Sequence, residues 1–265
     1  MADALLGPPR ATRVGGHTKP QRQRRLGGSE SSFDALALLG DGAYARLGRA
    51  LATARAVDAK EFVEALEVFH VVRKRVRRPC VVDLACGHGL VGLLFGVFEP
   101  SVARVVCVDW ARPPSYDVVL AACCAEFPWL AGKASFVEAD FLDPAARNAL
   151  LSSLPGGGST GFTAVHACGS LTDACLDAAV ACSGPIAALP CCYTGTAATM
   201  PLAVRRLLGV SAAADVGRAQ KLDAAGYVME FGSIPRRISP MNRLLIATPR
   251  RPFFPPDAVG ELAHT

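Results

Sequence analysis

The segment 81–90, Val-Val-Asp-Leu-Ala-Cys-Gly-His-Gly-Leu, joins an apolar strand to an apolar helix through a turn that contains two glycines. Glycine allows dihedral angles that a Cβ atom would forbid, and its missing side chain lets a ligand lie against the backbone. The phosphate-binding pattern is G-x-G-x-x-G; here Ala85 lies two residues before Gly87, and Gly92 lies three residues after Gly89. The segment therefore indicates a nucleotide-binding strand, turn and helix.

Acidic residues follow three successive apolar strands. Asp83, at the end of the first, is able to accept hydrogen bonds from a cationic or amine-bearing ligand, or to orient the loop. Asp109 ends the second strand, twenty residues after Gly89, where α/β folds place a carboxylate for ribose hydroxyls. Asp140 and Phe141 follow the third strand and offer an acid beside an aromatic surface, which together would hold an adenine.

These three motifs, in this order, resemble the class I S-adenosylmethionine-dependent methyltransferases, whose first motif is usually D-x-G-x-G-x-G. Ala85 occupies the place of the first glycine, and the resemblance covers roughly residues 80 to 248. It implies that S-adenosylmethionine is the cofactor. It implies that Gly87 and Gly89 face the methionine part of the cofactor, Asp109 the ribose, and Asp140 with Phe141 the adenine. The other cofactor-binding residues are expected to be Asp83, Ala85, Cys86, Trp110 and His166.

A second group of reactive side chains follows two later strands, in the segments His-Ala-Cys-Gly (166–169) and Leu-Pro-Cys-Cys-Tyr (189–193). Both segments would emerge at the carboxyl ends of neighbouring strands, where open α/β sheets bind their ligands. They resemble stretches of a methyltransferase group that includes a tRNA ribose 2′-O-methyltransferase and several methyltransferase-like proteins, as does Ile-Ser-Pro-Met-Asn-Arg at 238–243. The candidate catalytic residues are His166, Cys168, Cys191, Cys192 and Tyr193.

Four roles are open for these five residues. They would orient a substrate nucleophile, with His166 or Tyr193 taking or relaying its proton. Two thiolates and an imidazole would ligate zinc, although the paired C-x-x-C spacing is absent and no metal is expected. Cys191 or Cys192 would attack a pyrimidine as a covalent nucleophile, which requires a lowered thiol pKa. In the fourth interpretation the residues pack the end of the sheet and shape the cofactor pocket.

The alternation of apolar strands and helices predicts an α/β fold. We expect a Rossmann-like seven-stranded methyltransferase sheet with helices on both faces, preceded by two N-terminal helices. The predicted strands are 80–84, 103–108, 134–138, 162–167, 185–190, 226–232 and 241–248, with the last two resembling the antiparallel end of the methyltransferase sheet. The predicted helices between them are about 89–98, 115–125, 144–154 and 171–182.

Charge divides the chain into a basic leader and a nearly neutral body. Residues 1–32 carry six basic side chains against Asp3 and Glu30, which is most of the net charge of +5. This leader is expected to be disordered, and is either an organelle-targeting peptide or an ordinary basic segment. We divide the remainder into an N-terminal helical segment at 33–78, the cofactor-binding domain at 79–250 and a flexible tail at 251–265.

The helical segment comprises one predicted helix from Tyr44 and a second from Asp58, the predicted N-cap, to about Arg77. The second helix ends in five basic residues within six positions. They either complement the helix dipole or contact the phosphates of RNA. These residues are Arg73, Lys74, Arg75, Arg77 and Arg78, and further cations near the late loop are Arg236, Arg237 and Arg243.

Composition narrows the class of protein. Apolar residues make up 51% of the 265, enough for a sizeable core, but no apolar run approaches the ~18 residues of a membrane span. Ten cysteines lie within apolar elements and no secretory signal precedes them, so we expect reduced thiols, an intracellular location that is cytoplasmic or organellar, and no membrane partner.

The predicted function is methyl transfer to RNA. The alternatives are a protein or small-molecule methyltransferase and an inactive Rossmann-like interaction subunit.

Overall fold

The computed structural model of the chain describes residues 5, 25–27, 40–193 and 200–250. Most of the predicted leader and the whole tail at 251–265 lie outside the described residues. Residues 25–27 differ from the expected disorder, because the side chain of Leu26 is fully buried and its backbone N–H donates to the Val57 carbonyl at 3.0 Å. These three residues belong to the folded body.

The sheet has seven strands in the order β3-β2-β1-β4-β5-β7-β6. Strands β1 to β5 are parallel, whereas β7 is antiparallel to both of its neighbours, β5 and β6. This topology is the methyltransferase variant of the Rossmann-like fold and confirms the predicted fold class. The strands are β1 (Cys80–Leu84), β2 (Arg104–Asp109), β3 (Ala134–Glu138), β4 (Thr160–Val165), β5 (Ile186–Leu189), β6 (Tyr227–Ser233) and β7 (Arg243–Pro249).

Helices cover both faces of the sheet. They are α1 (Ala43–Ala54), α2 (Ala59–Val76), α3 (Leu90–Phe98), α4 (Pro114–Glu126), α5 (Pro144–Ser152), α6 (Ser170–Ala181), α7 (Leu202–Leu208) and α8 (Val210–Ala224), with a short 3-10 helix at Pro128–Leu130. Every strand and helix predicted from the sequence is present with ends within two residues of those predicted, whereas α7 and α8 were not predicted. In the described part of the chain, no helix combines the length and apolarity that a membrane crossing requires.

Two apolar cores lie on the two faces of the sheet, as alternation along the strands requires. Within β1, Val81 faces the core formed by α1 to α4, while Val82 and Leu84 face the core formed by α5, α6 and α8. All ten cysteines are free thiols, and Cys107, Cys123 and Cys175 are buried, three of the six predicted as core residues. The predicted core positions Cys86, Cys124 and Cys182 are only partly buried.

Helix α2 connects the two edges of the sheet. Asp58 caps its start through a capping box with Glu61, whose carboxylate accepts the Asp58 backbone N–H at 3.1 Å, so the predicted N-cap is confirmed. Its last residue, Val76, lies against Gly161, the second residue of β4. The start of α2 therefore lies beside the carboxyl ends of the parallel strands, and its basic end lies beside their amino ends.

Candidate functional site

The turn after β1 departs from ordinary backbone geometry at three residues. Ala85, Gly87 and Gly89 have φ angles of 53°, 51° and 73°, all in the left-handed region. Glycine adopts this region without penalty, whereas Ala85 is strained there. Ala85 therefore has the backbone conformation that favours the glycine it replaces in the D-x-G-x-G-x-G pattern.

The two glycines of the turn have different surroundings. A Cβ atom on Gly89 would lie 2.8 Å from the Tyr116 ring and 3.2 Å from the Cys107 sulfur, so packing requires glycine there. A Cβ atom on Gly87 would meet nothing within 4 Å, and the residue is exposed. A ligand therefore has room above the backbone at Gly87, whereas Gly89 allows the turn to pack closely against Tyr116 of α4.

Asp83 is buried and its carboxylate is engaged within the protein. One oxygen accepts the backbone N–H of Gly92 at 2.9 Å, and the other accepts the Thr163 hydroxyl at 2.8 Å. Burial raises the pKa of Asp83 to about 7, although both hydrogen bonds favour the ionised form. Of the two roles predicted for Asp83, these contacts support orientation of the loop.

Asp109 lies at the end of β2 and bonds to the glycine turn. Its carboxylate accepts the backbone N–H groups of Gly87 and Trp110, each at 2.8 Å. A carboxylate offers about four lone-pair positions, so capacity remains for hydroxyl donors. The Trp110 side chain is 78% exposed beside it, which leaves an aromatic face open to a ligand.

The residues after β3 are arranged differently from the prediction. Asp140 is exposed and accepts the Leu142 backbone N–H at 3.0 Å. Phe141 is only 4% exposed and packs in the core with Leu150, so the predicted aromatic surface beside Asp140 is wrong for this ring. The exposed ring near the carboxylates is that of Trp110 instead.

Cys86 and His88 complete the turn. A hydrogen bond with Cys107 and burial raise the pKa of the Cys86 thiol, which keeps it protonated. Burial lowers the pKa of His88, so its neutral Nδ1 accepts the Leu90 backbone N–H at 3.2 Å at the start of α3. Both side chains stabilise the loop.

His166, just after β4, pairs with a carboxylate from α2. Its Nε2 lies 3.0 Å from Oε2 of Glu64, which also accepts from Lys60 at 3.0 Å. Burial opposes ionisation of Glu64, but hydrogen bonds and electrostatic attraction involving His166 and Lys60 outweigh it and lower the pKa of Glu64. His166 also has a φ of 62°, a strained conformation of the kind that concentrates at functional sites.

Sequence reasoning missed Glu64. It is 3% exposed, although a glutamate on a helix ordinarily faces solvent. The available signal is its position between Val63 and Ala65 with Val68 one turn later, on a stretch that the structure buries. A carboxylate within an apolar stripe indicates a buried partner, here 102 residues away in the chain.

The structure brings Cys168, Cys191 and Cys192 together. The Sγ atoms of Cys168 and Cys191 are 2.7 Å apart, and those of Cys191 and Cys192 are 3.6 Å apart. Burial and the neighbouring thiols raise the pKa of Cys191, and burial raises that of Cys168. These raised pKa values do not favour the free thiolate that a covalent nucleophile needs.

Tyr193 belongs to a buried charge network. Its hydroxyl donates to Asp215 at 2.8 Å, and burial together with the charge of Asp215 raises the pKa of Tyr193 well above its usual range. Arg218, 3% exposed, bonds to Asp215, to Asp173 and to the Gly169 carbonyl at 3.1–3.2 Å. Tyr193 therefore anchors its loop, and this bonding leaves it poorly suited to take up a proton.

The basic run at the end of α2 lies at the amino ends of the strands, opposite the glycine turn. Much of its charge is compensated by carboxylates: Lys74, Arg75 and Arg77 are exposed, but both of these arginines pair with glutamates. The contacts are Arg73 with Glu99, Arg77 with Glu99 at 2.8 Å, Arg75 with Glu230 at 3.0 Å, and Arg78 with the Arg77 carbonyl at 2.7 Å.

Three other arginines lie at the carboxyl ends of the strands. Because β7 is antiparallel to β5, the β6–β7 loop at 234–242 lies beside the end of β5. Arg236 and Arg237 are exposed on this loop. Arg243, at the start of β7, donates to Asp215 at 2.9 Å and so belongs to the buried network.

No protein-family profile and no curated protein matches this chain. Among solved structures, an O-methyltransferase family protein from Burkholderia thailandensis is 19% identical, with 94% of this chain and 67% of that one covered and a TM-score of 0.47. Magnesium protoporphyrin IX methyltransferase from Synechocystis, solved with bound SAH, is 14% identical, with 81% of this chain and 92% of that one covered and a TM-score of 0.39.

A 16S rRNA (adenine(1408)-N(1))-methyltransferase from Catenulisporales acidiphilia is 18% identical over 70% of this chain and 92% of that one, with a TM-score of 0.41. All three proteins are named as methyltransferases. The strand order of the sheet, rather than these matches, establishes the fold of this chain.

Proposed function

We propose that this protein is an S-adenosylmethionine-dependent methyltransferase that acts on RNA. The observation that carries the proposal is the arrangement of the glycine turn, the Asp109 carboxylate and the Glu64–His166 pair along one edge of a methyltransferase-type sheet. The first two would bind the cofactor, and the third would act on the acceptor.

The residues at this edge fit the cofactor. Open space over Gly87 would let the methionine part lie against the backbone. Asp109 has lone pairs available for two ribose hydroxyls, and the exposed Trp110 ring and Asp140 carboxylate would contact the adenine. When bound, S-adenosylmethionine supplies a methyl group on a positively charged sulfur, which is already activated for attack.

His166 would take the acceptor's proton. Its Nε2–H donates to the ionised Glu64 carboxylate, which fixes this tautomer and leaves the lone pair on Nδ1. Nδ1 has no hydrogen-bond partner among the described residues, and because it is buried, the acceptor would reach it only after the side chains around it move. A positioned base of this kind contributes roughly 10²–10⁴-fold to rate. Glu64 would thus be a positioning residue and His166 the catalytic base.

The acceptor proposal rests on the exposed cations at the same edge. Arg236 and Arg237 lie on the β6–β7 loop beside the end of β5, within the part of the surface that an acceptor would approach. The segments 166–169 and 189–193 also resemble a group that includes a tRNA methyltransferase. We expect RNA phosphates to contact these exposed arginines because they lie at the edge that the acceptor would approach, whereas the run at 73–78 lies at the opposite edge.

Cofactor binding is tested by calorimetric titration with S-adenosylmethionine and S-adenosylhomocysteine. We expect micromolar binding by the wild type and its loss in Gly87→Arg, whose side chain fills the open space over the turn. Gly132→Arg is the matched control, because Gly132 also has a positive φ and open surroundings but lies before β3, at the amino ends of the strands. Absence of binding at millimolar ligand would favour an inactive interaction subunit.

Acceptor class is tested by RNA binding as a function of salt. Each lost phosphate contact lowers the slope of log K against log salt by about 0.7–0.9, so Arg236→Ala with Arg237→Ala should lower it by about 1.4–1.8. Lys74→Ala with Arg75→Ala removes the same charge at the opposite edge and should change it little. Equal losses in both double variants, or transfer only to protein or small molecules, would overturn the RNA proposal.

The proposed base is tested by separating kcat from KM. His166→Gln should lower kcat roughly 10²-fold or more, with little change in the KM for cofactor. Glu64→Gln should lower kcat less and shift the pH profile, because an amide does not favour the same imidazole tautomer. An unchanged kcat in His166→Gln would remove this residue from the mechanism.

A further inference from the structure

Three thiols from two loops meet at the carboxyl edge of the sheet. Cys168 follows β4, whereas Cys191 and Cys192 follow β5, and the three Sγ atoms all lie within 4.8 Å of one another. In the described residues this is the one cluster of cysteine, histidine and acidic side chains whose ligand atoms are this close. All three are free and at least partly accessible.

The spacing of the sulfur atoms is close to that of a tetrahedral metal site. Zinc bonds thiolates at about 2.3 Å, which separates two tetrahedral sulfur ligands by about 3.8 Å. The Sγ atoms of Cys191 and Cys192 are 3.6 Å apart and already match this value. Those of Cys168 and Cys191, at 2.7 Å, would move apart by about 1 Å.

The two loops are held in register by contacts other than the thiols. The Gly169 backbone N–H donates to the Cys192 carbonyl at 3.2 Å, directly joining them. Arg218 bonds the Gly169 carbonyl from one loop and, through Asp215, is linked to the Tyr193 hydroxyl of the other. The thiol cluster is therefore preorganised, as a metal site requires.

The number of thiols favours a metal over a disulfide. A disulfide between Cys168 and Cys191 would use two sulfur atoms and leave Cys192 without a role beside them. Three thiolates together match a soft or borderline divalent cation, which binds them by displacing the thiol protons to solvent. Zinc is the divalent ion that combines thiolate ligands with tetrahedral geometry and no redox chemistry.

We propose that Cys168, Cys191 and Cys192 bind one zinc ion and leave its fourth coordination position to water or to a lone-pair donor. Three protein ligands are the number that catalytic zinc sites use, whereas structural sites use four. The ion would join the β4 and β5 loops beside His166, at the edge where the proposed acceptor approaches. The proposal does not depend on methyl transfer.

The test uses the full chain, reduced and stripped of metal with a chelator, and titrated with cobalt(II) as a spectroscopic substitute for zinc. We expect one equivalent to bind, with thiolate-to-cobalt charge-transfer absorption in the near ultraviolet and a tetrahedral visible spectrum. Cobalt should then be displaced by one equivalent of zinc. Absence of saturable binding, or an octahedral spectrum without charge transfer, would overturn the proposal.

Variants identify the ligands. Cys168→Ser, Cys191→Ser and Cys192→Ser should each weaken metal binding at least tenfold, while the matched control Cys124→Ser, a partly buried thiol on α4, should not. Zinc should raise the Tm of the wild type and not that of the three variants, while a metal-free Tm equal to that of the wild type shows that the loss of binding is not unfolding. Equal affinity in all four variants would overturn the assignment.

Mass spectrometry of the protein alkylated before and after reduction gives a further check. We expect all three thiols to be alkylated in the metal-free reduced protein and protected by one equivalent of zinc. A Cys168–Cys191 disulfide that persists in reductant would overturn the metal site. Cofactor titration of the same samples distinguishes failure of the zinc proposal from failure of the methyltransferase proposal. The proposed cofactor-binding residues Gly87 and Asp109 lie on loops other than those of the three thiols.

Discussion

The loops at the carboxyl ends of the parallel strands together form what we call the carboxyl edge of the sheet. The two halves of this edge are held in place by different kinds of interaction. In the glycine-turn half, formed by the loops after β1, β2 and β3, carboxylates bond to backbone N–H groups, as Asp109 does to Gly87. In the thiol half, formed by the loops after β4 and β5, side chains bond mainly to other side chains, as His166 does to Glu64. The first half is held by local backbone geometry, whereas the second depends on long-range contacts between charged and polar groups.

This difference between the two halves suits them to different tasks, ligand binding in the glycine-turn half and transfer of protons or cations in the thiol half. Backbone N–H groups and glycine dihedrals are insensitive to protonation and present a fixed surface to a ligand. Imidazole, thiol and buried carboxylate groups bind and release protons and cations, and such transfers are part of catalysis. Substitutions in the two halves should therefore have different consequences, and each prediction below tests one side of this comparison.

The largest effect is expected for Arg218→Met in the thiol half. This change leaves Asp215, 1% exposed, without one of its two arginine partners and removes both bonds to Asp173. Removing one partner of a buried ion pair costs about 3–5 kcal/mol of unfolding free energy. Denaturant unfolding of Arg218→Met and the wild type would measure it.

Lys221→Met is the control for that prediction. Lys221 forms an ion pair with Asp177 on the same pair of helices, but both side chains are at least half exposed. Such pairs contribute about 1 kcal/mol or less. Similar losses in the two variants would show that the thiol half is not held by its buried charges.

The second prediction concerns pH and the buried Asp83 carboxyl. Its pKa is about 7 in the folded protein and about 3.8 when unfolded, so the folded state retains the proton over that interval. This contribution to stability is fully present below about pH 4 and is lost as pH rises to about 7, by roughly 4 kcal/mol at most. Above about pH 8 it changes no further.

Asp83→Asn isolates this contribution from other titrating groups. The amide keeps an acceptor for the Gly92 N–H and can donate to the Thr163 hydroxyl, so the loop should remain in place. Unfolding free energies of both proteins, measured from pH 4 to 8, should diverge progressively in favour of Asn. Parallel curves would contradict a raised pKa for Asp83.

The fold was largely predictable because its signals are local. The strand Cys80–Leu84 is a run of apolar residues that ends at a glycine turn, and both of its ends were predicted correctly. Helix α8 was missed because its Ala-rich sequence buries only scattered positions, such as Ala213, Ala214 and Leu222, and so lacks a clear apolar stripe. Propensity without periodicity is a weak signal.

The site was predictable only in part, for the same physical reason. Residues at the carboxyl ends of parallel strands, such as Asp109 and His166, follow from the topology of the sheet. The partner Glu64 does not, because only tertiary packing places α2 across the end of β4. Burial of Phe141 was equally invisible, since an aromatic residue after a strand is able to turn toward solvent or toward the core.

A third prediction compares the two glycines of the turn. Gly89→Ala should cost about 2–5 kcal/mol of unfolding free energy, because it adds overpacking against Tyr116 to left-handed strain. Gly87→Ala, which meets no neighbour, should cost only about 1–2 kcal/mol. Thermal melts and cofactor titrations should show the first variant failing in stability and the second chiefly in affinity.

The smallest expected effect is that of Ala85→Gly. Relief of the left-handed strain at Ala85 is worth about 1–2 kcal/mol, but glycine loses about 0.5–1 kcal/mol through its greater freedom in the unfolded chain. The net change should lie between zero and about 1.5 kcal/mol in favour of glycine. Cofactor affinity should be equal or higher, because the glycine pattern of the turn is then complete.

Ala121→Gly provides the matched control for this last prediction. Ala121 is exposed within α4, where helical backbone geometry suits alanine, so the same replacement should destabilise the protein by up to about 1 kcal/mol. Opposite signs for the two replacements would show that the turn stores strain at residue 85. If both variants lose stability equally, the left-handed conformation of Ala85 is incorrect, and the glycine-turn half is less fixed than its hydrogen bonds indicate.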